Sequence, residues 1–359
     1  MIERRGTIPA VLLPCVLAVL ALGLALPSRV AAAAEEAKPA AANPGRGPLP
    51  LKVAAVSSHA PFEAGECQLC HERADPKDPG AVLKKGKDVC LGCHEEFNAT
   101  LAQPHVHPPV KRGCVSCHNA HNSAQRKLLA DAPGTLCAKC HEDVVKVATD
   151  ALVPHRAVTT GAQCLACHTP HAGAIDALLV RLPFDLCVGC HNRDDMKDAA
   201  GKPLQNTQAW LAANKSWHGP VAKKDCSACH QPHGSDHFRL VKQDYPREFY
   251  ATYDPRTYEL CFGCHEEPAF STPRTTVLTS FRDGDRNLHY VHLQQGGRGR
   301  TCRACHEVHA SSQDHHIREG VPYGSSGWVL KLNYVTTPTG GSCAKTCHQE
   351  KAYDNRRKP

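Results

Sequence analysis

The chain has 359 residues, among them 21 Cys and 24 His, against only 2 Met and 5% aromatics. Large apolar side chains are scarce, so a conventional side-chain core cannot offset the backbone entropy of folding. The formal net charge is +7, yet no basic run is long enough to argue for a nucleic-acid partner.

Residues 1–34 read as an export signal. Arg4 and Arg5 precede an apolar run from Ile8 to Leu26, and the small residues Ala31 to Ala34 offer a cleavage site. The alternative is an uncleaved anchor, because the run is just long enough to span a bilayer; Pro9 and Pro14 interrupt it. Cys15 is a poor lipid-attachment site, with Pro14 before it and most of the apolar run after it. Residues 35–57 form an Ala/Pro-rich leader expected to be disordered. Export places the other cysteines in an oxidising compartment, where disulfides are the default.

The cysteine pattern points elsewhere. The twenty cysteines after Cys15 fall into ten pairs, and His follows the second Cys every time. Nine pairs read C-x-x-C-H: Cys67/Cys70/His71, Cys90/Cys93/His94, Cys114/Cys117/His118, Cys137/Cys140/His141, Cys164/Cys167/His168, Cys187/Cys190/His191, Cys226/Cys229/His230, Cys261/Cys264/His265 and Cys302/Cys305/His306. The tenth is stretched to C-x-x-x-C-H, with Cys343, Cys347 and His348. Two thiols one turn apart reach the two vinyl groups on one edge of a porphyrin, and the next residue turns its imidazole to the iron. Zinc sites, redox dithiols and disulfides use the same C-x-x-C spacing but do not require that histidine. Ten in ten by chance has odds on the order of one in a trillion. The pattern therefore predicts about ten covalent haems c, nine on C-x-x-C-H and one on C-x-x-x-C-H.

The motifs repeat in pairs. The first cysteines are 23 residues apart in the first three pairs, then 35 and 41 in the last two. Five two-haem modules follow: 58–103, 104–150, 151–205, 206–280 and 281–359. The expected fold is mostly coil with short α-helices and little β structure, wrapped around a haem chain. Glu142 to Ala151 is expected to be one of the longer helices, and residues 325–341 have a local β pattern.

Fourteen histidines lie outside the motifs. His121, His171, His233 and His309 each follow a motif histidine by three residues. Sharing its face, they cannot reach the far side of the same iron and must serve a different one. His59, His105, His155 and His218 precede a first cysteine by 8 or 9 residues, and in the fifth module His292 or His289 takes that place. Module 1 has Ala74 at the downstream position, with His107 as the compensating candidate. The distal candidates are thus His59, His105, His107, His121, His155, His171, His218, His233, His292 and His309, with His237, His315 and His316 left over. Met196 is the one methionine after the signal, so bis-His ligation at low potential is the expectation. Two propionates per haem would turn the mature charge near +5 into a holoprotein near −5, roughly.

The paired motifs resemble the doubled-CXXCH multihaem c-type cytochromes. The resemblance rests on H-x8-C-x-x-C-H-x-x-H units such as His105 with Cys114-Val115-Ser116-Cys117-His118-Asn119-Ala120-His121, and His218 with Cys226-Ser227-Ala228-Cys229-His230-Gln231-Pro232-His233. It covers residues 58 to 350. The motif count is also similar to that of periplasmic decahaem subunits that sit inside outer-membrane porins, and more distantly to pentahaem donors of nitrite reductase. The stretched tenth motif, Gly340-Gly341 before it and the long last two modules depart from the compact repeat. The resemblance implies an electron carrier rather than an enzyme, periplasmic or associated with the outer membrane or cell exterior. Its partners would be quinol-linked inner-membrane cytochromes and outer-membrane porin–cytochrome proteins, as in extracellular electron transfer. Two other readings are a reductase with one open haem and a filament-forming haem wire.

Overall fold

The computed structural model describes residues 54–323, 327–343 and 347–358. The expected signal segment, Cys15 and residues 35–53 of the leader lie outside the described residues. Secondary structure is sparse, as the composition dictates. Among the described residues the longest helix is Glu142–Asp150, and no strand exceeds four residues. All strand pairs are antiparallel.

The nine standard motifs fold as one turn. The histidine N–H donates to the carbonyl of the first cysteine at 2.9–3.0 Å in each, from His71 to Cys67 through His306 to Cys302. The first motif of a pair does this on a short 3-10 turn, such as Cys114–Ser116 or Cys226–Ala228. The second does it at the end of a short α-helix, such as Pro133–Ala138 or Pro183–Val188, with proline in the first turn where a missing N–H costs nothing. The tenth motif differs: Cys343 ends the strand Gly340–Cys343.

Consecutive modules are stitched by two-residue ladders. Ser57–Ser58 pairs with Asn122–Ser123, His105–Val106 with Ala172–Gly173, Val153–Pro154 with Gly234–Ser235, and Ser216–Trp217 with Ala310–Ser311. Every ladder joins a segment upstream of one pair of motifs to a segment just after the first motif of the next pair. Two residues per strand contribute little by themselves, so the ladders set register rather than carry the stability.

The C-terminal region bears the most β structure, where the sequence pattern of 325–341 points. Val329–Lys331 pairs with Gly320–Pro322, and Gly340–Cys343 is the central strand between Val335–Thr337 and Lys351–Asp354. Gly340 and Gly341 are needed for this closeness. A Cβ at Gly340 would overlap the Tyr353 carbonyl, and one at Gly341 would come 2.7 Å from the Val335 carbonyl. Side-chain packing is concentrated here too. All eight Tyr, all three Trp and five of the eight Phe follow residue 209, and Tyr258, Leu293, Ala304 and Ala310 are 5% exposed or less. No side chain before Asn119 is fully buried among the described residues.

Candidate haem sites

Each of nine motif histidines faces a histidine from outside the motifs. The ring-centroid separations are 6.2 Å for His94 with His59, 6.1 Å for His71 with His121, 6.1 Å for His141 with His107, and 6.1 Å for His118 with His171. They continue at 6.4 Å for His191 with His155, 6.2 Å for His168 with His233, 6.1 Å for His265 with His218, 6.2 Å for His230 with His309, and 6.5 Å for His306 with His289. Eight of the nine are within 22° of parallel; His306 and His289 are tilted by 32°. Other ring contacts in this chain are more varied, from Phe97 and His171 at 4.8 Å and 85° to Phe184 and Trp217 at 6.3 Å and 24°. Two imidazole–metal bonds of about 2 Å, with the two ring radii, come to about 6.3 Å. The gap therefore fits an iron ligated on both faces.

The remaining ring nitrogens are arranged to suit. The first-motif histidines donate from Nδ1 to a carbonyl nine residues on: His71 to Gly80 at 3.2 Å, His118 to Lys127 at 3.0 Å, His168 to Ala177 at 2.8 Å, His230 to Arg239 at 3.0 Å and His306 to His315 at 2.8 Å. A carbonyl can only accept, so the proton is on Nδ1 and the Nε2 lone pair is free for a metal. The acceptor residue is left-handed every time. Gly80 has φ 75°, while Lys127, Ala177, Arg239 and His315 hold φ 53–57° without being glycine. The local strain aims the carbonyl at the ring. Sequence reasoning missed these acceptors; only Gly80 carried a signal for them.

The facing histidines are held the same way. His59 donates from Nδ1 to Ala120 at 2.9 Å, His107 to Pro170 at 2.9 Å and His155 to Pro232 at 2.8 Å. Each of these three, like His218, is the N-cap residue of a short helix directly after a ladder. His107 is therefore the counterpart of His59, His155 and His218. His105 stands two residues earlier, inside the ladder, with its ring 3.8 Å from Asp176. The Pro-Pro that follows His107 was the sequence sign of the cap.

The pairing crosses modules in one direction. His121, His171, His233 and His309 each face the first motif histidine of the preceding module. His59, His107, His155 and His218 face the second motif histidine of their own. Ala74 stands at the corresponding position of the first module. At the other end, the helix Leu288–Leu293 carries both His289 and His292. His289 faces His306, and His292 is an electrostatic neighbour of His348. Burial, with His306 and His292 nearby, pushes His289 down to about 3; burial, with His230 nearby, pushes His309 down to about 4. Both rings stay neutral, the form a metal binds. His237 is instead tied to Asp244 at 2.9 Å, and His316 packs edge-on against His218.

None of the twenty described cysteines is in a disulfide, and attachment sites that follow one another in the sequence are neighbours in space. Cys90 is in hydrogen-bonding contact with Cys114, Cys137 with Cys164, Cys187 with Cys226 and Cys261 with Cys302. Cys70 and Cys93, Cys117 and Cys137, Cys167 and Cys190, Cys229 and Cys264, and Cys305 and Cys343 are electrostatic neighbours. Burial, then the neighbouring thiol, pushes Cys137 up to about 11.

The motif cysteines differ in exposure. Cys93, Cys140, Cys190, Cys264 and Cys347, the second cysteines of the second motifs, are exposed, whereas the other fifteen are half-buried. Cys140 shows the physical reason. It stands just beyond the helix Pro133–Ala138, and its N–H donates to the Cys137 carbonyl at 3.2 Å. Cys137 meets Cys164 of the next module, whereas Cys140 lies at the outer edge. Cys140 remains one turn from Cys137 and directly before His141, so its exposure marks the rim of the attachment site and not a separate role.

Paired attachment turns, carbonyl-oriented imidazoles and a porphyrin-sized gap between them define a multihaem c-type cytochrome. The doubled CXXCH motif family matches residues 59–99, 107–146, 155–196 and 218–270, and the chain belongs to the doubled-CXXCH cytochromes. Each match covers one pair of motifs and opens on or beside the histidine that faces its second motif. The chain is also 31% identical over 224 residues to the multiheme cytochrome MtrA of Shewanella baltica (strain OS185). The alignment covers 59% of this chain, and the chain spans only 45% of that relative's length. No helix among the described residues is long and apolar enough to cross a membrane.

Proposed function

We propose that the chain holds ten haems c, each between two imidazoles, and conducts electrons along them in sequence order. The carrying observation is the constant 6.1–6.5 Å spacing between motif and non-motif histidines. The ligand pairs are those described above, with His292 serving the tenth iron opposite His348. Relative to the sequence expectation, His107 takes the role given to His105, and both His289 and His292 serve. Each haem supplies reversible one-electron iron chemistry when bound. The protein fixes the spacing through the attachment turns and the ladders between modules, sets imidazole tautomers through backbone carbonyls, and tunes potential by burial and charge.

The five modules, 58–103 to 281–359, are read as ligand-sharing units. Nine motif histidines have an intramolecular partner ring, and His292 stands near the tenth. This favours a carrier over a reductase with an open iron, and over a filament built by lending ligands between copies. The resemblance to porin-embedded decahaem subunits favours an exported protein that takes electrons from quinol-linked inner-membrane cytochromes and passes them to an outer-membrane porin–cytochrome partner. The test is spin state. Reduced holoprotein should be wholly low-spin and bind no carbon monoxide. A carbon monoxide adduct on about one haem in ten would replace the carrier with a reductase.

A further inference from the structure

Buried charge is rare in this molecule, and one cluster of it lies where the seventh and ninth haem sites meet. Arg303 sits inside the ninth motif, between Cys302 and Cys305. Arg318 donates from Nε to the His306 carbonyl at 2.9 Å, and its backbone N–H donates to the Cys305 carbonyl at 2.8 Å. Its guanidinium lies 3.1 Å from the Glu307 carboxylate, with the two side chains only 12% and 11% exposed. Arg303 donates to the Tyr245 hydroxyl at 3.3 Å and lies over that ring. Its Nε is buried with no hydrogen-bond partner, and Arg318 Nη2 lacks hydrogen-bond geometry toward Glu307 despite the short distance.

Arg318 thus faces the one carboxylate, Glu307, and Arg303 adds a second permanent cation whose Nε is buried beside Tyr245. The cluster reaches both sites. Arg303 and Glu307 act on His309, which faces His230, while Arg318 acts on Cys305 of the ninth attachment site. Reducing an iron from Fe(III) to Fe(II) removes one positive charge. A nearby cation in a low-dielectric interior therefore favours the reduced form, whereas a solvated one is screened. The arginines stay protonated throughout, so the step moves an electron and no proton. The wider charge distribution acts in the same direction: residues 58–103 carry five basic and eight acidic side chains, and residues 281–359 carry twelve basic and seven acidic.

We propose that Arg303 and Arg318, with Glu307, are positioning residues that make the seventh and ninth haems the most positive in the chain, so that electrons collect at its C-terminal end. This rests on the haem-chain reading. The test is an equilibrium redox titration of full-length holoprotein, followed in the haem absorbance, for Arg303→Gln, Arg318→Gln and Glu307→Gln. Each arginine variant should lower the reduced-to-oxidised ratio of the most positive components about tenfold at a fixed potential, or 59 mV for one electron. Glu307→Gln should move the same components the other way, which a packing defect would not do. Fully haem-loaded arginine variants with unmoved components, or three shifts of one sign, overturn the proposal. If the arginine variants fail to load haem, Glu307→Gln decides: a positive shift supports the proposal and no shift overturns it. A wild-type chain without haem fails the haem-chain reading itself.

Discussion

The imidazole of His121 lies 6.1 Å from that of His71, within 15° of parallel, although the two belong to different pairs of motifs. The later module hands a histidine back to the earlier one, and the ladder Ser57–Ser58 with Asn122–Ser123 fixes the register of that exchange. His121→Ala should therefore leave His118, three residues away, fully ligated and convert the haem at Cys67 and Cys70 to high spin. About one-tenth of the ferric signal should change by electron paramagnetic resonance. A change located at the Cys114/Cys117 haem would refute the cross-module exchange.

His105 and His107 separate cleanly by mutation. His107→Ala should open one iron to carbon monoxide, while His105→Ala should leave the spectrum of the reduced protein unaltered. The reverse result would mean that the ladder register, and not the helix cap, places the ligand.

Asn287 is fully buried and holds the helix that bears His289 and His292. Its side-chain oxygen accepts from the His289 and Tyr290 N–H groups, and its amide donates to the Ala269 and Thr272 carbonyls at 2.9 and 2.8 Å. Asn287→Ala removes a cap and leaves two buried carbonyls unpaired, a cost of about 2–4 kcal/mol. Denaturant unfolding should show that loss, with the ninth and tenth haems the first to turn high-spin.

Acid should act late at the C-terminal end. Burial holds His289 to about 3 and His309 to about 4, below the ordinary 6.5. A depressed value means the neutral ring's stabilisation is complete above pH 6.5 and is lost as pH falls toward those values. Between pH 6.5 and 5 each ring would contribute about 2 kcal/mol less stability while remaining unprotonated. Low-spin spectra should persist at pH 5 even as urea unfolding becomes easier. Conversion to high spin starting near pH 6.5 at these two sites would show that the rings titrate as solvated imidazole.

How much could be read beforehand follows from what each feature requires of the sequence. Thioether chemistry demands Cys and His at a fixed offset, so the attachment sites stand out. Their unequal exposure does not: Cys137 and Cys140 look alike in the motif, and only the contact of Cys137 with the next module separates them. The downstream histidines were also legible, since a residue sharing a face with a ligand cannot circle the same iron; which module they serve is decided by ladders too short to predict. His105 attracted attention because spacing to the cysteine ignores the two residues each ladder consumes. Spacing likewise suggested a single upstream histidine in the last module. Two are brought into position on one helix, His289 opposite His306 and His292 near His348. The left-handed acceptors at Lys127, Ala177, Arg239 and His315 left no trace, as none of them is glycine.

The account stands on porphyrin filling the space between the paired rings. Intact mass of the exported protein, taken with a pyridine haemochrome assay, measures this directly. Ten thioether-bound haems with all twenty motif cysteines consumed is the predicted result. A colourless chain whose cysteines are joined as disulfides or hold zinc would contradict it.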